Sequence, residues 1–250
     1  MTLTLPLYLD AVRSDGDALL AAARRAPQAA VPACPEWDVA QRRGPVGRIH
    51  RWVTDMLVTR SAQRGAFPRA PEGFEALAPW YEEGLAAVLA ALGAADPDEP
   101  VWNWADNGPA PARFWQRRLA HETGVHRWDA ELAVGVTPTP IDPALATDGI
   151  DETLGFVNVW LGRRAAEGLT GRLVLATTDT ASTWALDLSP DRVDRLDPGA
   201  GPTPAAGAAA VRGGASDLLL WLVGRPTAAQ LEMVGDPAVT ATWERSVVFP

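Results

Sequence analysis

The stretch FWQRRLAHETGVHRWDAE, residues 114–131, carries a seam of side chains at helical spacing. The seam extends two residues beyond this stretch, and its members are Trp115, Leu119, Glu122, His126, Asp129 and Ala133. Steps of three and four residues place all of them on one face of an α-helix, and the apolar ends indicate that this face points into a core. Its middle is an acid, an imidazole and a second acid, and burying such groups without partners costs several kcal/mol. The sequence therefore predicts a polar site inside a helical bundle.

Glu122 and His126 stand one helical turn apart, with Cβ atoms about 6 Å from each other. Both side chains could therefore reach one divalent ion between helices. The spacing also fits two other arrangements: a plain contact between the pair, or a buried network in which Arg118 or Arg127 neutralises the acids. The spacing alone leaves these alternatives open.

A third metal ligand would have to come from His50, an acid or water, because the chain has three histidines. His50 lies beside the seam of a second predicted helix, whose members are Val39, Arg42, Val46, Ile49, Val53 and Met56. His121 is about 100° around its helix from Glu122, so we expect it at the surface or at a boundary.

Periodicity predicts an α+β protein in two parts. Helical spacing between turn residues predicts helices at 7–26, 38–64, 74–93, 112–134 and 143–168. After residue 171 the pattern changes to short β-like runs at 173–177, 183–188, 193–196 and 209–212, followed by helices at 216–223 and 237–245. We therefore expect a four-helix bundle with one extra helix in residues 1–168 and a small α/β domain in residues 169–250.

Composition excludes some partners. The formal net charge is −9 and no basic run exceeds two residues, so neither nucleic acid nor an anionic membrane is expected. The basic residues are all arginine, which with abundant Ala, Gly and Pro indicates a GC-rich bacterial source. The single cysteine, Cys34, excludes an intramolecular disulfide and is interpreted as a small buried hydrophobe. No leader and no stretch of about 18 apolar residues is visible, so we expect a cytoplasmic protein. The sequence leaves open whether it is a monomer or a homodimer.

Four segments together resemble the actinobacterial mycothiol-dependent maleylpyruvate isomerase family, a branch of the DinB-like metal-binding bundles. They are PACPEWDVAQ (32–41), GRIHRW (47–52), the stretch at 114–131 and DGIDE (148–152). A further segment, VRGGASDLLLWLVGR (211–225), resembles the second domain of that family, an α/β module similar to sterol-carrier proteins.

The resemblance implies a divalent ion, usually zinc, held by one histidine of the second helix together with Glu122 and His126. It also implies that Asp129 binds the low-molecular-weight thiol mycothiol. In such enzymes the metal lowers the pKa of the thiol, and the thiolate attacks a small electrophile. The implied activity is isomerisation of an unsaturated diacid or transfer of the thiol to an electrophile.

Three further residues have two interpretations each. Trp52 and Trp128, next to the candidate ligands in sequence, could wall the pocket of the cofactor or pack in a core. Arg225, in a Gly-Arg-Pro turn, could contact an anionic substrate or the thiol, or could be a solvated residue near a helix end.

One position departs from the family. Where its members carry the first histidine ligand of the second helix, this chain has Pro45, which cannot bind metal and which costs about 3 kcal/mol or more in a helix interior. Arg42 also places a charge where the family has an apolar residue. His50 lies about 140° around the helix from position 45, so it could replace the lost ligand only if a proline kink rotates the helix. The alternatives are a two-residue site completed by water, a site without metal, or a binding or regulatory protein that has lost catalysis.

Overall fold

The chain divides into two compact units, Thr2–Thr139 and Pro140–Pro250. The computed structural model describes residues 3–32, 34–106, 108–161, 168–196 and 207–246, and for residues 34–45 it describes the backbone alone. Each unit is built around its own core, so the two are described separately.

The first unit is a bundle of four long helices. They are α1 (Leu5–Arg25), α2 (Val39–Thr59), α3 (Phe74–Ala94) and α4 (Arg113–Ala133). Helix α1 packs chiefly against α4, and α2 packs chiefly against α3. The largest fully buried side chains of this core are Trp115, Tyr81, Leu19, Met56, Leu92 and Leu119.

Helix α2 is continuous through position 45 and ends at a defined cap. Arg60 adopts a left-handed conformation with φ 49°, and the amide of Ser61 donates to the carbonyl of Met56 at 2.9 Å. The amide of Arg60 donates to the carbonyl of Leu57 at 3.3 Å. This pair of bonds is a Schellman motif, and it ends the helix five residues before the predicted end at residue 64.

Two short antiparallel hairpins also belong to the first unit. Strand β1 (Ala30–Val31) pairs with β2 (Cys34–Asp38), and β3 (Pro100–Asn103) pairs with β4 (Gly108–Pro111). These strands are not predicted from the sequence, because they are two to five residues long and β3 and β4 contain three prolines, which are depleted in strands.

The second unit places helices on a five-stranded sheet. Its elements are α5 (Pro143–Leu161), β5 (Gly171–Thr177), β6 (Thr183–Ser189), β7 (Arg192–Leu196), β8 (Ala208–Gly213), α6 (Ala215–Leu222), a 3₁₀ turn (Ala228–Gln230), β9 (Glu232–Gly235) and α7 (Pro237–Ser246). The strand order is β7-β6-β5-β8-β9, and β5 and β8 are the parallel pair. Leu173 of β5 stands opposite Leu186 of β6 and Ala209 of β8, and all three are buried.

The α+β fold, with a helical bundle followed by an α/β part, confirms the predicted fold class. The boundary differs, because α5 packs against α6 and β7 and so is grouped with the sheet rather than with the bundle. Strand β9 was not predicted. The Gly, Pro and Ala residues at 197–208 predict a flexible stretch, and most of it lies outside the described residues. Within the described part of the chain, no helix is both long and apolar enough to cross a membrane.

Candidate functional site

Helix α4 brings Glu122, His126 and Asp129 together on one face, over two successive turns. Nδ1 of His126 lies 3.3 Å from Oδ2 of Asp129, and Nε2 lies 4.0 Å from Oε1 of Glu122. The Asp129 side chain is fully buried, whereas that of Glu122 is 18% exposed. The imidazole is therefore set between two carboxylates, with hydrogen-bond distance to Asp129 and a longer ion-pair distance to Glu122.

Arg118 contacts the outer acid of this group. Its Nε lies 3.5 Å from Oε2 of Glu122, one helical turn away, and both side chains are largely buried. This contact is one of the alternatives that the sequence left open, because the guanidinium offsets part of the negative charge. It leaves the second carboxylate oxygen of Glu122 as the one that faces His126.

Arg127 does not take part in that neutralisation and makes a separate buried cluster. Its guanidinium donates to Asp15 of α1 at 3.0 Å, to Glu131 at 2.8 Å and to the carbonyl of Thr139. The amide of Thr139 in turn donates to Glu131 at 2.8 Å. Burial raises the pKa of Asp15, although the nearby Arg127 opposes this shift. Asp15, Arg127, Glu131 and Thr139 are called the Arg127 cluster below.

His50 lies in the core of the bundle, where the described residues offer its ring no polar partner. Its side chain is 0% exposed, and neither ring nitrogen has a hydrogen-bond partner among the described residues. Its ring lies against that of Tyr81 from α3, with centroids 5.5 Å apart and a tilt of 41°. Burial lowers the pKa of His50 to about 3, so the ring is neutral at physiological pH.

His121 is buried, which corrects its predicted place at the surface or a boundary. Its ring meets that of Tyr8 from α1 edge to face at a centroid distance of 6.1 Å. His121 was expected at the surface or at a boundary because it lies about 100° around the helix from Glu122. It is buried because α4 is covered on more than one face, so that its buried residues extend around the helix.

Trp52 and Trp128 are both buried. Trp52 belongs to an aromatic cluster with Phe67, Trp102 and Trp115 at centroid distances of 5.2–5.8 Å. Its indole Nε1 donates to the carbonyl of Gly65 at 2.9 Å. This environment favours the packing interpretation of Trp52.

Arg225 belongs to the second unit and is 4% exposed, which corrects its interpretation as a solvated residue. Its guanidinium donates to the carbonyl of Val223 at 2.9 Å, and its amide donates to that of Leu220 at 2.8 Å. These bonds fold the chain back at the end of α6. The side chains of Cys34, Arg42 and Pro45 lie outside the described residues.

The side chains that the structure describes do not make up a three-ligand metal site. In the described ranges, no group of three or more His, Cys, Asp or Glu side chains is arranged to hold an ion. Helix α2 has no break at position 45, so His50 remains about 140° around the helix from that position. Glu122 and His126 supply two donors, whereas zinc sites normally have at least three protein ligands.

The fold and this helix face define a class of protein: a helical bundle with an acid–imidazole–acid centre on one helix, joined to a small α/β domain. Two family models match the chain. The mycothiol maleylpyruvate isomerase N-terminal domain matches residues 9–131, and the C-terminal domain of the same family, MDMPI, matches residues 144–242. The chain belongs to the mycothiol maleylpyruvate isomerase family.

Two solved structures are similar to the chain. One is the mycothiol-dependent maleylpyruvate isomerase (TM-score 0.58), and the other is a histidine-to-alanine mutant of that enzyme (TM-score 0.60). Each is 13% identical in sequence, and each comparison covers 93% of this chain and 95% of the other. This likeness supports the same fold in both parts of the chain. No curated protein matches the chain at the level of sequence.

Sequence reasoning missed the Arg127 cluster as a unit. The spacing of Arg127 and Glu131 is a visible signal, because residues four apart on a helix can pair. No sequence pattern indicates that Asp15 pairs with Arg127, because the two residues are 112 positions apart in the chain.

Proposed function

We propose that this chain is an enzyme that uses a low-molecular-weight thiol, mycothiol, to isomerise a small unsaturated diacid by reversible thiol addition. The observation that carries the proposal is the face of α4 on which His126 lies between the carboxylates of Asp129 and Glu122. Membership of the family supports the choice of thiol and substrate, because the family is named for mycothiol and maleylpyruvate. The cytoplasm is the compartment we propose for this chemistry, because it is reducing enough to keep such a thiol free.

In the proposed reaction His126 moves the thiol proton. The imidazole accepts the proton of the thiol S–H at Nε2, while Asp129 holds the ring through Nδ1 and stabilises the imidazolium that forms. Glu122, 4.0 Å from Nε2, adds a second negative charge beside that imidazolium. A general base of this kind contributes about 10²–10⁴-fold to a rate.

The thiolate then adds to one carbon of the substrate double bond. The C–S bond forms as the π electrons move onto the conjugated carbonyl oxygen, which leaves a single bond about which the adduct can rotate. Return of those electrons re-forms the double bond and breaks the C–S bond, and the imidazolium returns its proton to the sulfur. Thiol and protein are regenerated, so no oxidant or other reactant is consumed. This scheme uses residues of the chain alone, because the described donors on α2 and α4 do not form a three-ligand site.

Asp129 has a different proposed role from the one that the resemblance implies. The resemblance makes it a ligand of the thiol, but its buried carboxylate lies within hydrogen-bond distance of His126. We therefore assign Asp129 to the orientation of the imidazole. A KM for thiol that rises strongly in Asp129→Asn, with kcat unchanged, would favour the thiol-ligand role instead.

The test is a turnover assay with mycothiol and maleylpyruvate, in which ultraviolet absorbance monitors the loss of the cis isomer. We expect turnover that requires the thiol, and a fall in kcat of about 10²–10⁴-fold in His126→Gln and Asp129→Asn. The matched control is His121→Gln, which removes another buried histidine of α4 whose ring meets Tyr8, and which should retain activity within a few-fold.

Two outcomes would count against the proposal. Equal activity in His126→Gln and in the unchanged protein would remove the imidazole from the reaction. Thiol binding by calorimetry without turnover of any small electrophile would favour the alternative function, a binding or regulatory protein.

A further inference from the structure

Positions 45 and 50 lie on different faces of α2. The helix runs from Val39 to Thr59 without a break at position 45. Each residue of an α-helix turns by about 100°, so positions 45 and 50 lie on different faces, about 140° apart. Because the helix is unbroken there, regular helical geometry keeps His50 away from the place of position 45.

The surroundings of His50 show what that face contacts. Its ring lies against Tyr81, whose hydroxyl donates to the carbonyl of Gly16 at 3.3 Å rather than to the imidazole. Both ring nitrogens of His50 are buried, and no donor or acceptor among the described residues meets them. The bundle therefore surrounds His50 as it surrounds an apolar core residue.

The two candidate metal donors that face each other, His126 and Glu122, both lie on α4. Nε2 of His126 and Oε1 of Glu122 lie 4.0 Å apart, a separation that one ion could bridge. Position 45 on α2 carries proline, whose ring nitrogen is part of the backbone and has no lone pair available for a metal.

We propose that this chain is a member of its family whose bundle lacks a protein metal ligand on α2, that position 45 is where that ligand is missing, and that His50 does not replace it. The proposal disagrees with the three-ligand zinc site that the family resemblance implies. It does not depend on the proposed reaction, because its readout is the binding of an ion.

Metal binding by four proteins tests the proposal. Each protein is titrated with Co²⁺, whose visible absorption reports binding, and the Zn²⁺ that remains bound per chain after gel filtration is measured. The proteins are the unchanged chain, Pro45→His, Pro45→Ala and His50→Phe. We expect Pro45→His to bind Co²⁺ on the order of 100-fold more tightly than the unchanged chain, since even a residue that only orients a metal ligand changes metal affinity by about 10–100-fold. Pro45→Ala is the matched control, because it also removes the helix proline but supplies no imidazole.

His50→Phe should bind metal as weakly as the unchanged chain. In the Pro45→His background, Glu122→Gln should abolish the gained affinity, which would show that the new imidazole joins the donors of α4. Circular dichroism and a thermal melt of each variant separate loss of binding from loss of folding.

Three results would overturn the proposal. The first is one tightly held Zn²⁺ per unchanged chain, and the second is loss of metal in a folded His50→Phe protein. The third is equal Co²⁺ affinity in Pro45→His and Pro45→Ala, because position 45 would then not face the donors of α4.

Discussion

His50 is an ionisable side chain held in an apolar place. Burial lowers its pKa from the usual 6.5 to about 3 in the folded chain. Between these two pH values the unfolded chain binds a proton that the folded chain does not, so the free energy of unfolding rises with pH in this window. The contribution of His50 is therefore lost as the pH falls from about 6.5 towards 3.

We predict that His50→Phe removes this pH dependence. Phenylalanine keeps a flat ring beside Tyr81 and has no nitrogen that lacks a partner. Between pH 7 and pH 5 the unchanged protein should lose about 2 kcal/mol of unfolding free energy through this histidine. This figure follows because pH 5 lies roughly 1.5 units below the unfolded pKa, and each unit contributes about 1.4 kcal/mol. Urea unfolding of both proteins at the two pH values measures the difference. An identical pH dependence in the two proteins would show that His50 is solvated or paired.

The Arg127 cluster connects two helices and the end of the first unit. Arg127 and Glu131 lie on α4, Asp15 lies on α1, and Thr139 is the last residue before the second unit. The Arg127 side chain is only 4% exposed, so its charge is compensated by these groups rather than by water.

Arg127→Met should destabilise the first unit by about 3–5 kcal/mol, because it leaves two carboxylates buried without their cation. Chemical unfolding monitored by tryptophan fluorescence measures the loss. The control is Arg192→Met, which breaks an ion pair with Asp194 at the surface and should change stability little. Equal effects of the two substitutions would mean that the Arg127 cluster is solvated.

The close packing of α2 against α3 predicts that a larger side chain at Gly47 destabilises the first unit. A Cβ added at Gly47 would lie 2.6 Å from Cζ3 of Trp80, a rigid indole that cannot move aside easily. Gly47→Ala should therefore destabilise the first unit by about 1–3 kcal/mol through overpacking. Gly93→Ala is the matched control, because its new methyl group would make an ordinary 3.6 Å contact with Leu9. Thermal melts compare the two variants, and a Gly47→Ala protein as stable as Gly93→Ala would contradict the close approach.

Local patterns account for what the sequence could predict at this scale. The helices were predictable because their apolar residues recur at helical spacing, and Glu122, His126 and Asp129 were predictable as a group because one helix carries all three. The contacts of His50 with Tyr81 and of Arg127 with Asp15 join residues on different helices, and no local pattern reports them. The short hairpins were missed because two to five residues are too few to show a period.

At the scale of the whole molecule, the division into units depends on α5. Its helical period matches that of the preceding helices, so the sequence predicts it as an extra helix of the bundle, with a boundary after residue 168. In the structure Asn158 of α5 instead bonds to the backbone of Val193 in β7 at 2.7 and 2.9 Å. Asp151 accepts bonds from Trp184 at 2.9 Å and Arg195 at 2.5 Å, and these bonds lower its pKa although burial opposes the shift. Period alone could not show which neighbour covers the helix.

The last prediction concerns which segment folds alone. Residues 140–250 should unfold cooperatively as an isolated fragment, whereas residues 169–250 should not, because that shorter fragment lacks α5. Helix α5 buries Ile150, Leu154, Val157 and Leu161, and each such side chain contributes about 1.5–3 kcal/mol when it is fully buried. Without α5 its partners on α6 and β7 become exposed to water, so we expect binding of a hydrophobic dye and a broad thermal transition in the shorter fragment. A sharp transition at the same temperature in both fragments would place α5 outside the folding unit of the sheet.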